Sequence, residues 1–404
     1  MKELSIYIHT PFCKSKCNYC SFYSIPLSKL KYLSNSAGFG EYAGLLIKEI
    51  EINSKKYSLG GSCVKSIYFG GGTPSVMPES FFKNLTDYIS KNFKIREGAE
   101  ITAEINPESG NFEKLSALKS LGINRLSIGA QSFNDGALKT AGRIHNKNDI
   151  YHAVNNAKKA GFKNISIDLI IGLPGQNENI FYDDAREILD MKPEHISAYM
   201  FSIESGTQFY KIYNKKNGVG FMTQDNIAAY YETLCRLLTG KGYFHYEISN
   251  FSKAGYESRH NINYWKRGEY LGLGPSASSF LKLDNGKEIR KTNAADLYKY
   301  ADNILGKSNN IIHNPFFYNK KAASETDFIE ILSENDKINE EIFLSLRTAA
   351  GISTKRLSEL TGQEVREVIN KFIKEGLMKN FKENITLTLK GMLLSSEIFA
   401  RIMV

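Results

Sequence analysis

Only five of the 404 residues are cysteine, and the count is odd. This excludes the disulfide framework of a small secreted domain and fits a reducing compartment. No segment approaches the roughly 18 consecutive apolar residues needed to cross a bilayer, and no apolar run follows a basic start in the first twelve residues. The sequence therefore reads as cytoplasmic. Dense basic stripes are also missing: Lys and Arg exceed Asp and Glu by nine, but they are scattered, as in "KSKC", "NAKKAG" and "YNKKNG". That pattern suits a solvated surface with room for peripheral contact with an anionic membrane, and no nucleic-acid partner is expected. Apolar residues at 42% against 24% charged exclude extended disorder.

What is present is alternation. From residue 4 to 203, short β-rich runs (4–9, 64–70, 100–105, 125–130, 165–171 and 195–201) take turns with segments of helical period (41–54, 78–93, 111–122, 149–161 and 180–191). This predicts an α/β fold with a parallel sheet wrapped by helices. Polar or glycine-rich residues follow nearly every strand: a cysteine loop, "GGGTPS", "NPES", "QSFND" and "GLPGQ". In parallel α/β barrels such loops converge on one active face. Beyond about residue 205 the alternation weakens, and 246–280, rich in aromatics and glycine, reads as a layer covering the barrel. Residues 325–404 read as three short helices and a hairpin, a winged-helix-like module. The expected domains are 1–235, 236–324 and 325–404.

Three of the five cysteines crowd into eight residues. Cys13, Cys17 and Cys20 form C-x3-C-x2-C directly after the first strand. A structural zinc site normally has four protein ligands, commonly in two separated pairs, and no second pair stands elsewhere in this chain. A four-iron cubane held by three cysteines leaves one iron open to a substrate or cofactor. Cys63 and Cys235 stand alone and read as small buried hydrophobes.

This spacing, placed after the first of six β/α units, resembles the radical S-adenosylmethionine (SAM) superfamily. The resemblance implies a partial (β/α)6 barrel, a [4Fe-4S] cluster on Cys13, Cys17 and Cys20, and SAM chelated at the open iron. In that superfamily an electron donor reduces the cluster, and SAM is cleaved to methionine and a 5′-deoxyadenosyl radical while the barrel orients and shields the reaction. It sharpens to the coproporphyrinogen III dehydrogenase-like branch through "YIHTPFCKSKCNYC", "YFGGGTPS", "LSIGAQSF", "IDLIIGLPGQ", "YEISNF", "SRHNINYW" and "YLGLGPSASSF". Carried over residue by residue, the implied SAM contacts are Tyr7, Tyr19, Gly71, Gly72, Thr73, Glu104, Gln131, Arg143 and Asp168. The residues themselves suit those parts: glycines allow close backbone approach, carboxylates at strand ends accept from ribose hydroxyls, and Arg143 neutralises a carboxylate. Each also has an ordinary reading as a turn or a structural hydrogen-bonder.

Within that branch the oxidases usually carry a long N-terminal extension and a further cysteine two residues after the trio. Here the trio begins at residue 13 and position 22 is Phe. Both departures resemble the haem-chaperone members, which bind haem and hand it to acceptor proteins such as respiratory enzymes. In "HNINYW" (260–265), His260 is the candidate haem ligand, Tyr264 and Trp265, the only Trp, are candidates to pack on the macrocycle, and Arg259, Lys266 and Arg267 to offset its propionates. The same segment also suits an anchor for the covering layer. The expected function is a haem chaperone; the alternative is an oxygen-independent coproporphyrinogen III oxidase.

Overall fold

The computed structural model describes residues 2–30, 36–215, 217–306 and 327–403. Six strands, β1 (Glu3–Thr10), β2 (Cys63–Gly71), β3 (Lys94–Ile105), β4 (Arg125–Gln131), β5 (Ile165–Ile171) and β6 (His195–Met200), pair parallel in sequence order. The crossovers carry α1 (Ser36–Lys56), α2 (Glu79–Asn92), α3 (Phe112–Ser120), α4 (Lys147–Lys159) and α5 (Glu178–Met191), and α6 (Gln224–Gly240) follows β6. Side-chain caps start several of these helices: Asn111, Asn146, Asn177 and Thr223 each accept a backbone N–H of the first turn. In β1 the alternation is plain. Leu4, Ile6 and Ile8 are buried in the core shared with Tyr42 and Leu46 of α1, whereas Ser5, Tyr7 and His9 turn to the opposite, polar face.

The segment expected only to cover the barrel instead extends its sheet at both edges. On one side β7 (Phe244–Glu247) and β8 (Asn250–Ser252) continue from β6, with β8 antiparallel to it. On the other, β9 (Tyr270–Leu273) pairs parallel with β1, and β10 (Ser278–Lys282), β11 (Glu288–Thr292) and β12 (Phe328–Ile331) follow antiparallel, which makes twelve strands. A four-residue strand containing Gly272 gives little period to read. That glycine is required, because a Cβ there would collide with the backbone of Ser278. Between the two added edges runs α7 (Arg259–Trp265), whose first N–H groups, of Arg259 and His260, donate to Glu100 of β3 at 3.0 Å each. The boundary expected at 235 falls inside α6, and that at 324 lies outside the described residues.

Two further helices matter here, α8 (Leu297–Leu305) and α9 (Glu334–Leu346). With Thr354–Leu360, Gln363–Lys374 and the hairpin Met378–Phe381/Asn384–Leu387, α9 builds the expected three helices and hairpin around a separate core. Ile352–Ser353 adds a third strand, and the helices Leu389–Leu393 and Ser395–Ile402 close the chain. Among the described residues no helix is long and apolar enough to cross a membrane.

One buried carboxylate joins the sheet edge to the helix layer. Glu49 of α1 accepts from Gly274 N–H (2.9 Å), Asn293 (2.7 Å) and Tyr300 of α8 (2.7 Å), with Lys291 at 3.8 Å. Burial pushes its carboxyl up against the pull of Lys291. Glu49→Ala leaves these donors unpaired and is expected to lower unfolding free energy by about 3 kcal/mol or more, read from urea denaturation.

Candidate functional site

The cysteine loop grows out of the end of β1 and is held on all sides. The short strand Phe12–Cys13 pairs with Ile25–Pro26, which brings the two ends of the loop together. Thr73 N–H donates to Phe12 O (2.8 Å) and Gly72 N–H to Thr10 O (2.8 Å), tying the loop to the turn after β2. Asn18 donates from its backbone to Ala141 O (2.9 Å) and receives Phe209 N–H (2.9 Å). His9 Nε2 lies 2.9 Å from Tyr23 O, and the Tyr23 hydroxyl accepts Leu297 N–H from α8 at 2.8 Å. A backbone oxygen can only accept, so the His9 proton is on Nε2, and Nδ1 accepts from the Tyr7 hydroxyl at 3.0 Å. Burial holds His9 neutral, its pKa lowered to about 4.

Cys13 is buried, while Cys17 and Cys20 are half-buried. Burial raises the Cys13 thiol to about 11, against a hydrogen bond from Thr73 (3.4 Å). Cys20 is raised for the same reason. Arg143 points a guanidinium N–H at Cys17 Sγ (3.5 Å). Among the described residues no three His, Cys, Asp or Glu side chains converge tightly enough to hold one metal ion. Three thiols on one loop, beside hydroxyl and guanidinium donors, fit a cluster in which each cysteine takes a different iron.

Around the loop the structure gathers most of the residues singled out above. Thr73 Oγ1 bonds Cys13 and accepts from Asn106 Nδ2 (3.1 Å), and Asn106 Oδ1 accepts from Arg143 (2.9 Å). Arg143 also donates to Gly129 O (3.0 Å). Burial works against the charge on Arg143, but Tyr19 and Cys17 hold its pKa above the ordinary arginine value. Tyr19 itself is raised by burial and lowered in turn by Arg143. Glu104 accepts from the Tyr68 hydroxyl (2.9 Å) and from Gly71 N–H (3.1 Å), and burial pushes its carboxyl up to about 7. Gly71 (φ +110°) leaves no room for a Cβ, which would meet the His9 ring at 2.5 Å. Gln131 ends β4 with φ +68°. Asp168 lies deeper on β5, accepting from Ser127 (3.0 Å) and Ser166 (3.1 Å), its pKa raised by burial.

His260 stands apart. It is 1% exposed and packs on the middle of the strands, its ring 5.0 Å from that of Tyr68. The cysteines lie beyond the ends of those strands. Ser66 Oγ donates to Ser5 Oγ (2.8 Å) and so accepts from His260 Nδ1–H (2.8 Å), which leaves Nε2 to accept from the Tyr264 hydroxyl (2.8 Å). Burial, with the charge of Arg125, lowers the His260 pKa to about 3. Arg259 donates to Gly98 O (2.9 Å), and Arg267 is already matched by Glu288 (2.6 Å) and Glu340 (3.0 Å). Tyr264, Trp265, Arg267, Tyr270, Phe280 and Arg290 line a cleft of about 500 Å³ between the sheet edge and α9, with Tyr7 among its other walls.

The Radical SAM superfamily model matches residues 7–188 and the HemN C-terminal domain model residues 332–394. The chain is 35% identical over 400 residues to the heme chaperone HemW of Bacillus subtilis, covering 98% of each chain. It belongs to the HemW family. The HemW of Lactococcus lactis is 32% identical, covering 99% of this chain and 97% of that one. The structure of coproporphyrinogen III oxidase (HemN) from Escherichia coli, a radical SAM enzyme, superposes with TM-score 0.79 at 21% identity, covering 100% of this chain and 90% of that one, which shows a shared fold.

Asn106, His9 and Tyr23 were not singled out from the sequence, although "NPES" put Asn106 beside Glu104. Two variants test the site. A Cβ on Gly72 would meet Thr10 O at 2.8 Å and Cys13 Sγ at 2.9 Å, so Gly72→Ala is expected to displace Cys13 and at least halve the iron bound per chain. Glu104 is protonated more readily in the folded than in the unfolded chain, so its contribution to stability is present below about pH 4.5 and is lost as pH rises through about 7. Glu104→Gln removes that loss. The variant should gain stability over wild type between pH 5 and 8, by on the order of 3 kcal/mol at the upper end, measured by denaturant titration of the cluster-free protein.

Proposed function

We propose that this protein is a haem chaperone of the radical SAM type. Cys13, Cys17 and Cys20 hold a [4Fe-4S] cluster, and Tyr7, Tyr19, Gly71, Gly72, Thr73, Glu104, Gln131, Arg143 and Asp168 form the SAM site. Haem is the cargo, passed to acceptor proteins such as respiratory enzymes. The observation that carries this reading is the 35% identity to the Bacillus subtilis chaperone across 98% of both chains. When bound, the cluster supplies the electron for cleavage of SAM. The chain supplies the rest: three cysteines on one braced loop with the Arg143 guanidinium beside Cys17, a carboxyl at Glu104, and a closed turn at Gly71 and Gly72. Phe22, 67% exposed on the loop, fits this function better than that of the oxidase, whose relatives usually have cysteine there.

For the cargo, the cleft between the sheet edge and α9 is the fitting place. Its walls are aromatic, and Arg267 and Arg290 offer guanidinium partners to propionates in exchange for Glu340. His260 does not line the cleft, its Nδ1 being taken up by Ser66 and its Nε2 by the Tyr264 hydroxyl, whereas Tyr264 does. We therefore assign the iron ligand to Tyr264, whose phenol proton would leave to solvent on binding iron, and give His260 the part of fixing the direction of that hydroxyl by accepting from it.

Anaerobic reconstituted protein should bind one haem per chain and leave coproporphyrinogen unchanged in the presence of SAM and reductant. Tyr264→Phe should weaken haem binding by roughly tenfold or more. Steady conversion of coproporphyrinogen to protoporphyrinogen would instead establish the oxidase.

A further inference from the structure

The turn that carries Gln131 is strained, and a buried side chain from another element holds it. Gln131 has φ +68°, and the N–H of Ser132 bonds back to Ala130 O at 2.9 Å across it, the pattern of a γ-turn with positive φ at its centre. For a residue with a side chain this conformation is strained and persists only where surrounding contacts impose it. Those contacts begin at the next residue. Asp184, 4% exposed on α5, accepts from Ser132 Oγ (2.8 and 3.1 Å) and from Phe133 N–H (2.6 Å). It also accepts from Gln176 Nε2 (2.9 Å), whose own Oε1 takes Gly172 N–H (2.6 Å) in the turn after β5. One carboxylate thus fastens the turns after two adjacent strands to the helix that follows them. On the inner side of the same turn, Gly129 O is an acceptor of Arg143, and Ala130 O lies 3.2 Å from His145 Nε2.

We propose that Asp184 is a positioning residue for SAM: by fixing the strained turn it sets the direction of the Gln131 side chain and the height of the Gly129 carbonyl that orients Arg143. This rests on the reading of Gln131 and Arg143 as SAM contacts. Asp184 itself faces Ser132, Phe133 and Gln176 and takes no direct part in binding. An alternative, in which the carboxylate merely stabilises the packing of α5, makes a different prediction: its loss would lower overall stability without reaching Gln131.

The test uses the full-length, cluster-reconstituted protein and its variants Asp184→Asn, Ser132→Ala, Gln131→Ala and Gln131→Ala/Asp184→Asn. Asp184→Asn keeps the shape but turns one acceptor into a donor facing donors. Ser132→Ala removes only the hydroxyl contact and serves if the first variant does not fold. Two readouts are taken: backbone hydrogen exchange at Ser132 and Phe133, and SAM affinity by titration, with the change in the reduced cluster's spectrum on SAM addition as its signature. Asp184→Asn is expected to speed exchange at the turn by roughly tenfold or more, with α5 unchanged. SAM affinity should fall by roughly tenfold at unchanged iron content, and the double variant should bind SAM no more weakly than Gln131→Ala alone. Unchanged exchange, or faster exchange with wild-type SAM affinity, overturns the proposal. So does a loss that adds in full to that of Gln131→Ala, which would mark general destabilisation. Failure of the wild-type protein to bind SAM at all would overturn the reading of the site and the positioning role together, a result distinct from wild-type binding that Asp184→Asn leaves intact.

Discussion

Six strands that pair parallel and in sequence order must all end along one rim, and everything else in this molecule follows from that constraint. A parallel neighbour is reached only by a crossover, so each strand end is followed by a turn that leaves the sheet at the same level. The cysteine loop, Gly71 and Gly72, Glu104 and Asn106, Gln131 and the turn before Gln176 are far apart in the chain but are neighbours on the rim. The hydrogen bonds from Cys13 through Thr73 and Asn106 to Arg143 run across the ends of β1 to β4. No single segment could supply that span.

The inner face below the rim is polar, which is unusual for a sheet surface that is closed from solvent. Ser5, Ser66, Glu100, Ser166, His195 and His260 are all buried, and most of them are satisfied by one another. A buried polar group without a partner costs about 1–3 kcal/mol, so the network specifies one arrangement of α7 against the strands. Neutral histidines suit this role, since each has one donor and one acceptor. Burial and the nearby Arg125 keep both His195 and His260 uncharged.

Much of this architecture was legible in the sequence because it is written in local period. All six strands and five of the crossover helices follow from runs of alternating or helical hydrophobicity, and the cysteine spacing marked the loop around which the candidate site is gathered. What the period did not carry was pairing. The residues Tyr270 to Leu273 are too short and too rich in glycine to stand out as a strand, yet they close the free edge of β1. Asp184 reads as one of five acidic residues on an amphipathic helix, and only the fold reveals that it points at the turns while Asp183 meets Arg186 on the surface. His260 shows the same limit from the other side: the motif was visible, but the direction of its imidazole depends on Ser66, nearly two hundred residues away.

The pairing of β1 with β9 also sets an order of assembly. During synthesis β1 has β2 as one neighbour, but its other edge stays open until Tyr270–Leu273 have been made. The supports of the cysteine loop, Leu297 against Tyr23 and the Glu49 network that includes Asn293 and Tyr300, arrive later still. At about 5–20 residues per second this leaves an interval on the order of tens of seconds in which Cys13, Cys17 and Cys20 lack these supports. A cluster on these cysteines would be held only once the chain through Tyr300 has been made, and a product that stops short of it presents its cysteines without that cradle.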